Sequence, residues 1–293
     1  MFGYTILGMG SPGTVGYTGG LFGSRGLFAG GSSNVIDYIN LSGGTGATAT
    51  DFGDLTVHSN RHYLTIGSDA VRAVIQGGQG PVTDMEFVSI GTPGNGVEFG
   101  DLTVARQYLS SESDGSRGVT ASSGVLDYFT FQTLGDAITF GDSTGNGISG
   151  GAVSDGTRMV YSSSGSPMFM DTLNIASVGD ATEFGDMAGA QLGAGADDTS
   201  RGCFFGGHDG SAYVNNIDYI AISTPNDATD FGDDSVAGDN KAGTGDGSRG
   251  MSVSGHADNR GIRYFNIDSL GDAVSFGQLS TARSIVKGAT SGN

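Results

Sequence analysis

Six near-copies of one hexapeptide constrain this chain more than any other feature. ATDFGD stands at 49–54 and again at 228–233. GVEFGD (96–101), AITFGD (137–142), ATEFGD (181–186) and AVSFGQ (273–278) complete the series. The phenylalanines are Phe52, Phe99, Phe140, Phe184, Phe231 and Phe276, separated by 47, 41, 44, 47 and 45 residues. Each is preceded by one arginine of a second series: Arg25, Arg72, Arg117, Arg158, Arg201 and Arg249. A small pair follows five and six residues after each arginine, from Gly30-Gly31 to Ser254-Gly255. An apolar-acidic-aromatic triplet comes next, clearest in IDY (36–38), LDY (126–128) and IDY (217–219). Self-similarity at a period near 45 marks a unit that cannot bury its apolar face alone and must stack on its neighbours.

Each unit parses into four short strands. In the third they are 106–113, 117–124, 125–131 and 137–142, with DGS (114–116) as a tight hairpin turn. Glycine at 55 of 293 residues without a G-X-Y period, 5 prolines and a 37% hydrophobic share fit a turn-rich all-β chain. Six repeats of four antiparallel strands predict a six-bladed propeller over residues 24–293. The ends agree. From each Phe to the next Arg the chain takes 20, 18, 18, 17 and 18 residues, and 17 residues after Phe276 it reaches Asn293. Residues 282–293 therefore read as an innermost strand lacking its hairpin partner, and 25–31 as a second strand. Pairing the carboxyl-terminal strand with the amino-terminal blade closes the ring and removes open sheet edges.

The unit resembles the kelch repeat: an apolar strand ending in a small pair, an acidic-aromatic step, then a lone aromatic, with a small-Arg step in TVAR (103–106) and STAR (280–283). It departs where kelch repeats carry Trp, since this chain has none. The FGD form also resembles repeats of bacteriophage virion and tail-fibre-like proteins. That resemblance implies a non-enzymatic virion protein, tail- or fibre-associated and present in many copies. Its partners would be other virion proteins and a host surface receptor or glycan. A secreted, extracellular glycan-binding propeller is the alternative.

The repeated residues read as scaffold. Each Phe is expected to anchor its blade, and each FGD Asp to accept backbone N–H bonds in a turn. Each repeated Arg is expected to pair with a carboxylate. A formal charge of −18 sets 31 acidic residues against 13 basic ones, so phosphate backbones are repelled and no nucleic-acid partner is expected. No apolar run is long enough to span a bilayer, so no membrane insertion is expected.

Catalytic patterns are missing too. His58, His62, His208 and His256 show no ligand spacing, and Cys203 sits in a predicted strand as a small apolar residue. GDNKAGTGDG (238–247) lacks the terminal Glu of a calcium loop. A kelch-type oxidase or mutarotase therefore lacks support, and neither cofactor nor metal is expected. Binding residues ride on the parts that vary. The fifth unit is longest, and its HDGSAYVNN (208–216) contains His208, Asp209, Tyr213 and Asn215; the sixth has His256, Asp258, Asn259 and Arg260 at the equivalent place. The first 23 residues hold eight glycines, four aromatics and no charge. They read as an arm anchored through Phe2, Tyr4, Ile6, Leu7, Tyr17 and Phe22 on a neighbouring protein, or as an extra strand of the first blade.

Overall fold

The computed structural model describes residues 24–31, 33–58, 61–145, 147, 149–163, 168–188, 193–253, 255, 260–283 and 286–291. Among these residues every regular element is a strand. The first unit holds β1 (Arg25–Gly30), β2 (Val35–Asn40), the two-residue β3 (Ala47–Thr48) and β4 (Thr50–Asp54). Then come β5 (Thr65–Ser68), β6 (Arg72–Gln76), β7 (Val82–Ser89) and β8 (Val97–Arg106), followed by β9 (Ser110–Ser113), β10 (Arg117–Ser122), β11 (Val125–Thr130) and β12 (Ile138–Asp142). The fourth unit holds β13 (Ser149–Ser154), β14 (Arg158–Ser163), β15 (Phe169–Asn174) and β16 (Thr182–Asp186). The fifth holds β17 (Ala194–Asp197), β18 (Arg201–His208), β19 (Tyr213–Ala221) and β20 (Thr229–Asp233). The last holds β21 (Ala242–Gly245), β22 (Arg249–Val253), β23 (Gly261–Asn266) and β24 (Val274–Gln278), and β25 (Val286–Ser291) is the last described strand.

Apart from β3, which pairs in parallel with β24 at the outer edge of the sixth blade, these strands form six antiparallel blades around an axis, as the repeat count predicts. The blade of β1, β2 and β4 takes β25 as its innermost strand, with Leu27 opposite Ala289 and Gly30 opposite Val286. The innermost strands β25, β5, β9, β13, β17 and β21 contact one another in ring order. Because strands alternate in direction, hairpin turns after each inner strand share one face with the loops before each outer strand. We call this the turn face. The opposite, linker face carries the loops between second and third strands and the connections from blade to blade.

Burial explains the circle. The apolar core divides into six clusters, each drawn from two adjacent blades: Leu27, Ile36 and Phe52 join Leu64, Ile66 and Ile75, for example, and Phe28 and Leu41 join Met251 and Phe276. A single blade has no inside. The six repeated phenylalanines are at most 4% exposed. In five blades each meets the ring of its triplet aromatic edge-on, at centroid distances of 5.9–6.1 Å.

The hexapeptide itself is a bulge and a clasp. In all six blades the ladder between third and outer strands slips by one residue at this point. Leu126 faces Gly141 and Asp127 faces Thr139, so Phe140 is the extra residue. Freed from its own ladder, the backbone there bonds to the next blade. Gly135 N donates to Phe99 O at 2.9 Å, Gly179 N to Phe140 O at 2.9 Å, and Gly271 N to Phe231 O at 3.1 Å. The Asp that follows donates its own N–H to a loop carboxylate or amide of the next blade. Asp101 N bonds to Asp136 Oδ1, Asp142 N to Asp180 Oδ1, Asp186 N to Asp227 Oδ1, Asp233 N to Asp272 Oδ1 and Asp54 N to Asn95 Oδ1, all at 3.0 Å. The expectation that the FGD carboxylate caps a turn is therefore corrected. The capping side chain is the Asp or Asn that stands four residues before the Phe of the next blade.

The arginine expectation is corrected as well. Each repeated Arg sits at the start of a second strand and donates to a carbonyl of the next blade. Arg25 reaches Ile90 O at 2.6 Å, Arg72 Phe131 O at 2.6 Å, Arg117 Ile175 O at 3.1 Å, Arg158 Ile222 O at 3.0 Å and Arg201 Ile267 O at 2.7 Å. Arg249 bonds to Leu41 O, which completes the circle from sixth blade to first. Five of the guanidinium groups also lie over the triplet aromatic of their own blade, as Arg117 does over Tyr128 at 4.5 Å. Among the described contacts of these arginines, Arg249 adds a carboxylate, Asp246 at 2.7 Å. Carbonyls win because the triplet ring holds the guanidinium at the blade boundary, where the neighbour's strand end offers an acceptor.

Carboxylates lie deeper. The triplet acids Asp37, Glu86, Asp127, Asp171 and Asp218 are at most 2% exposed. Arg106 pairs with Asp127, Arg283 with Asp37 at 2.6 Å and Arg61 with Glu86 at 3.4 Å, each cation arriving from the stretch of chain that leads into the blade, Arg106 from the end of β8. The sixth blade inverts the charges: Arg263 holds the triplet position and pairs with Asp234 of the connection at 2.7 Å, where Lys241 also binds at 2.5 Å. Asp171 uses Thr144 and Tyr161 instead.

Candidate functional site

Three places on this scaffold break its repetition: an extended hairpin, the mouth of the axis on the linker face, and the axial channel. The sequence expectation concerns the first. HDGSAYVNN lengthens β18 and β19 rather than forming an irregular loop, since Gly207 pairs with Val214 and His208 with Tyr213. Asp209 Oδ1 accepts Ser211 N at 2.7 Å and Ala212 N at 2.8 Å, which holds its carboxyl below the usual range. His208 Nδ1 accepts Gly210 N at 2.9 Å. Asn215 Nδ2 donates to Asp234 O at 3.0 Å, tying the hairpin to the connection beside it. Arg260 binds Leu279 O at 3.0 Å. Of these candidates the hairpin turn engages Asp209, and framework carbonyls engage Asn215 and Arg260. Tyr213, 46% exposed and edge-on to His208 at 5.4 Å, faces solvent. His256, Asp258 and Asn259 lie outside the described residues. So do the arm residues Phe2, Tyr4, Ile6, Leu7, Tyr17 and Phe22.

Sequence reasoning passed over the second place. The residues that lead into inner strands β5, β9 and β21 stand where the axis opens on the linker face. Tyr63, Tyr108 and Asn240 occupy this position with φ of 58°, 56° and 52°. A left-handed backbone suits asparagine, but for a bulky side chain it costs on the order of 1–2 kcal/mol. Tyr63 and Tyr108 stack with ring centroids 4.0 Å apart and planes tilted by 32°, and His62 packs edge-on against Tyr63 at 4.7 Å. Tyr108 N donates to Tyr63 O at 2.8 Å. Burial, the hydroxyl of Tyr63 and the charge of Asp239 together hold the Tyr108 hydroxyl in its protonated form, its pKa raised. All three rings remain half-buried. No motif announces them, because each lies in a connection that differs from blade to blade.

The third place is a channel of about 130 Å³ between the inner strands, lined by Gly67, Gly151, Gly195 and Gly243 and by Ser111, Ser113 and Ser154. Glycine is required at Gly151, Gly195 and Gly243 by the neighbouring backbone, since an added Cβ would come within 3.0 Å of it. Two carboxylates, Glu112 and Asp197, project among these small residues. Asp197 Oδ2 accepts Ser154 N at 3.1 Å. Burial pushes its carboxyl up to about 7 despite that bond, and burial together with the charge of Asp197 raises Glu112 well above the carboxylate range. The folded channel thus binds protons that the unfolded chain releases above about pH 4. Stability from this pair is full below that pH and falls as pH rises through about 7. Thermal melting should show Tm falling between pH 5 and 8, and Glu112→Gln should flatten that fall. An equal fall in the variant would rule the channel out as its source.

Among the described residues no three His, Cys, Asp or Glu side chains converge as a metal-holding group. Cys203 is buried, and burial raises its thiol pKa, so a reactive thiolate is disfavoured there. No protein-family model and no curated protein matches this chain.

Proposed function

We propose that the chain is a kelch-like propeller of a bacteriophage particle, tail- or fibre-associated, that docks to a neighbouring virion protein and performs no catalysis. The observation that carries the reading is an apolar crown on the turn face. The position six residues before the repeated Phe holds Leu134, Val178 and Leu270, which are 54%, 60% and 62% exposed, and exposed prolines Pro93 and Pro225 in two further blades. Val97, Ile138 and Val274, four residues on, are at least 50% exposed. Repetition of exposed aliphatic groups at one site of a rigid scaffold suits docking onto another protein surface. Ser24 lies on this same face, so residues 1–23 join the fold where the crown is. The kelch-like and FGD-repeat resemblance supplies the virion context.

Mass spectrometry of purified particles tests the reading. The chain should be retained in particles at a fixed stoichiometry and lost from them when residues 1–23 are deleted. Recovery in the particle-free fraction alone would overturn it.

A further inference from the structure

We propose that the axial aromatic cluster of the linker face, Tyr63, Tyr108 and His62, is a binding platform for a neutral saccharide. This assignment goes beyond the docking reading and does not depend on it, since that reading uses the opposite face. Four observations converge. First, the two tyrosines adopt a left-handed backbone with φ of 58° and 56°, while the matching position before β21 is filled by Asn240, which takes that conformation readily. Tyrosine is therefore not the residue this backbone position prefers, and its presence twice in adjacent blades needs a reason outside packing. Second, the rings are half-buried rather than enclosed, stacked at 4.0 Å and flanked by His62 at 4.7 Å. Their exposed parts form an aromatic patch that suits the C–H face of a pyranose. Third, the Tyr108 hydroxyl lies against that of Tyr63, a pair of groups able both to donate and to accept, which suits a ligand made of hydroxyl groups. Fourth, a net charge of −18 repels sugar acids and phosphates, which leaves uncharged saccharides.

Strain makes the proposal separable from a packing role. Tyr63→Asn and Tyr108→Asn place at these positions the residue that Asn240 already provides, so the fold keeps or gains stability. If the rings were present for packing, the same changes would lower it. The full chain, which has ten tyrosines and no tryptophan, is titrated with maltohexaose, cellohexaose, mannohexaose and, as the charged comparison, hexagalacturonate, read by tyrosine fluorescence and calorimetry. At least one neutral hexasaccharide should bind saturably, and each asparagine variant should weaken it by about tenfold or more with Tm unchanged or raised. Val71→Ala, in the exposed hairpin turn between β5 and β6 on the opposite face, should leave binding unchanged. The proposal is overturned by lack of binding to all three neutral probes, by stronger binding of hexagalacturonate, by binding that survives both asparagine changes, or by a fall in Tm in those variants.

Discussion

Replacing Asp127 by alanine lowers the unfolding free energy by about 3–5 kcal/mol, because it strands a buried guanidinium. Arg106, the last residue of β8, is 3% exposed and reaches Asp127 across the boundary between the second and third blades. Its other acceptors are carbonyls, Val125 O at 2.7 Å and Val104 O at 3.3 Å, and carbonyls cannot neutralise a charge. Burial already lowers the pKa of Arg106, the mark of a cation short of solvent. Thr103 loses partners too, since its hydroxyl and N–H both donate to this carboxylate, at 2.6 Å and 3.1 Å. Urea titration of Asp127→Ala, and of Asp127→Leu combined with Arg106→Met, separates charge from space. The double variant should recover most of the loss, because a buried ion pair replaced by apolar groups is often neutral. A single variant within about 1 kcal/mol of the parent would show that the pair is solvated.

The second large effect belongs to glycine. Gly100→Ala should destabilise the fold by about 3 kcal/mol or more, although a methyl group is all it adds. The Cβ would come within 3.0 Å of the backbone of Gly135 and Asp136 in the next blade, and φ there is +156°. Main chain cannot swing aside as a side-chain tip can. It is pinned by the bonds from Gly135 N to Phe99 O and from Ala137 N to Asp101 O at 2.8 Å. Gly44→Ala provides the control, since that glycine has no heavy atom within 4 Å of an added Cβ. Its unfolding free energy should lie within about 0.5 kcal/mol of the parent. Similar melting curves for Gly100→Ala and Gly44→Ala would remove the clasp from the account.

The blade count was legible because the hexapeptide does one job six times. A bulge with a glycine after it tolerates little variation, so spacing alone counts the blades. Closure was legible from the 17 residues after Phe276, and β25 on β1 realises it. Finer assignments failed where one residue type has two physical uses. The third inner strand was expected to begin at Arg106, yet β9 begins at Ser110 because Arg106 turns inward to Asp127. Both halves of that pair were visible, as the small-Arg step and the triplet acid, but a period cannot tell which repeat supplies the partner. The repeated arginines were assigned to carboxylates because the sequence is rich in them, whereas the acceptor is main chain and has no letter of its own. The inverted pair, Arg263 with Asp234, shows that the site conserves opposite charge rather than residue type. The axial tyrosines left no trace, since backbone angles of single connection residues are not written in a repeat.

The closed ring is tested most directly by a covalent link across its seam. Leu27→Cys and Ala289→Cys, in a Cys203→Ala background, place two thiols at partnered positions of β1 and β25. Oxidation should produce one intramolecular disulfide joining residues 262 positions apart, seen as a compact band on non-reducing gels and as a higher Tm than the reduced form. Thiols that stay free, or that join only separate molecules, would contradict the pairing of β25 with β1 and with it the closed six-bladed ring.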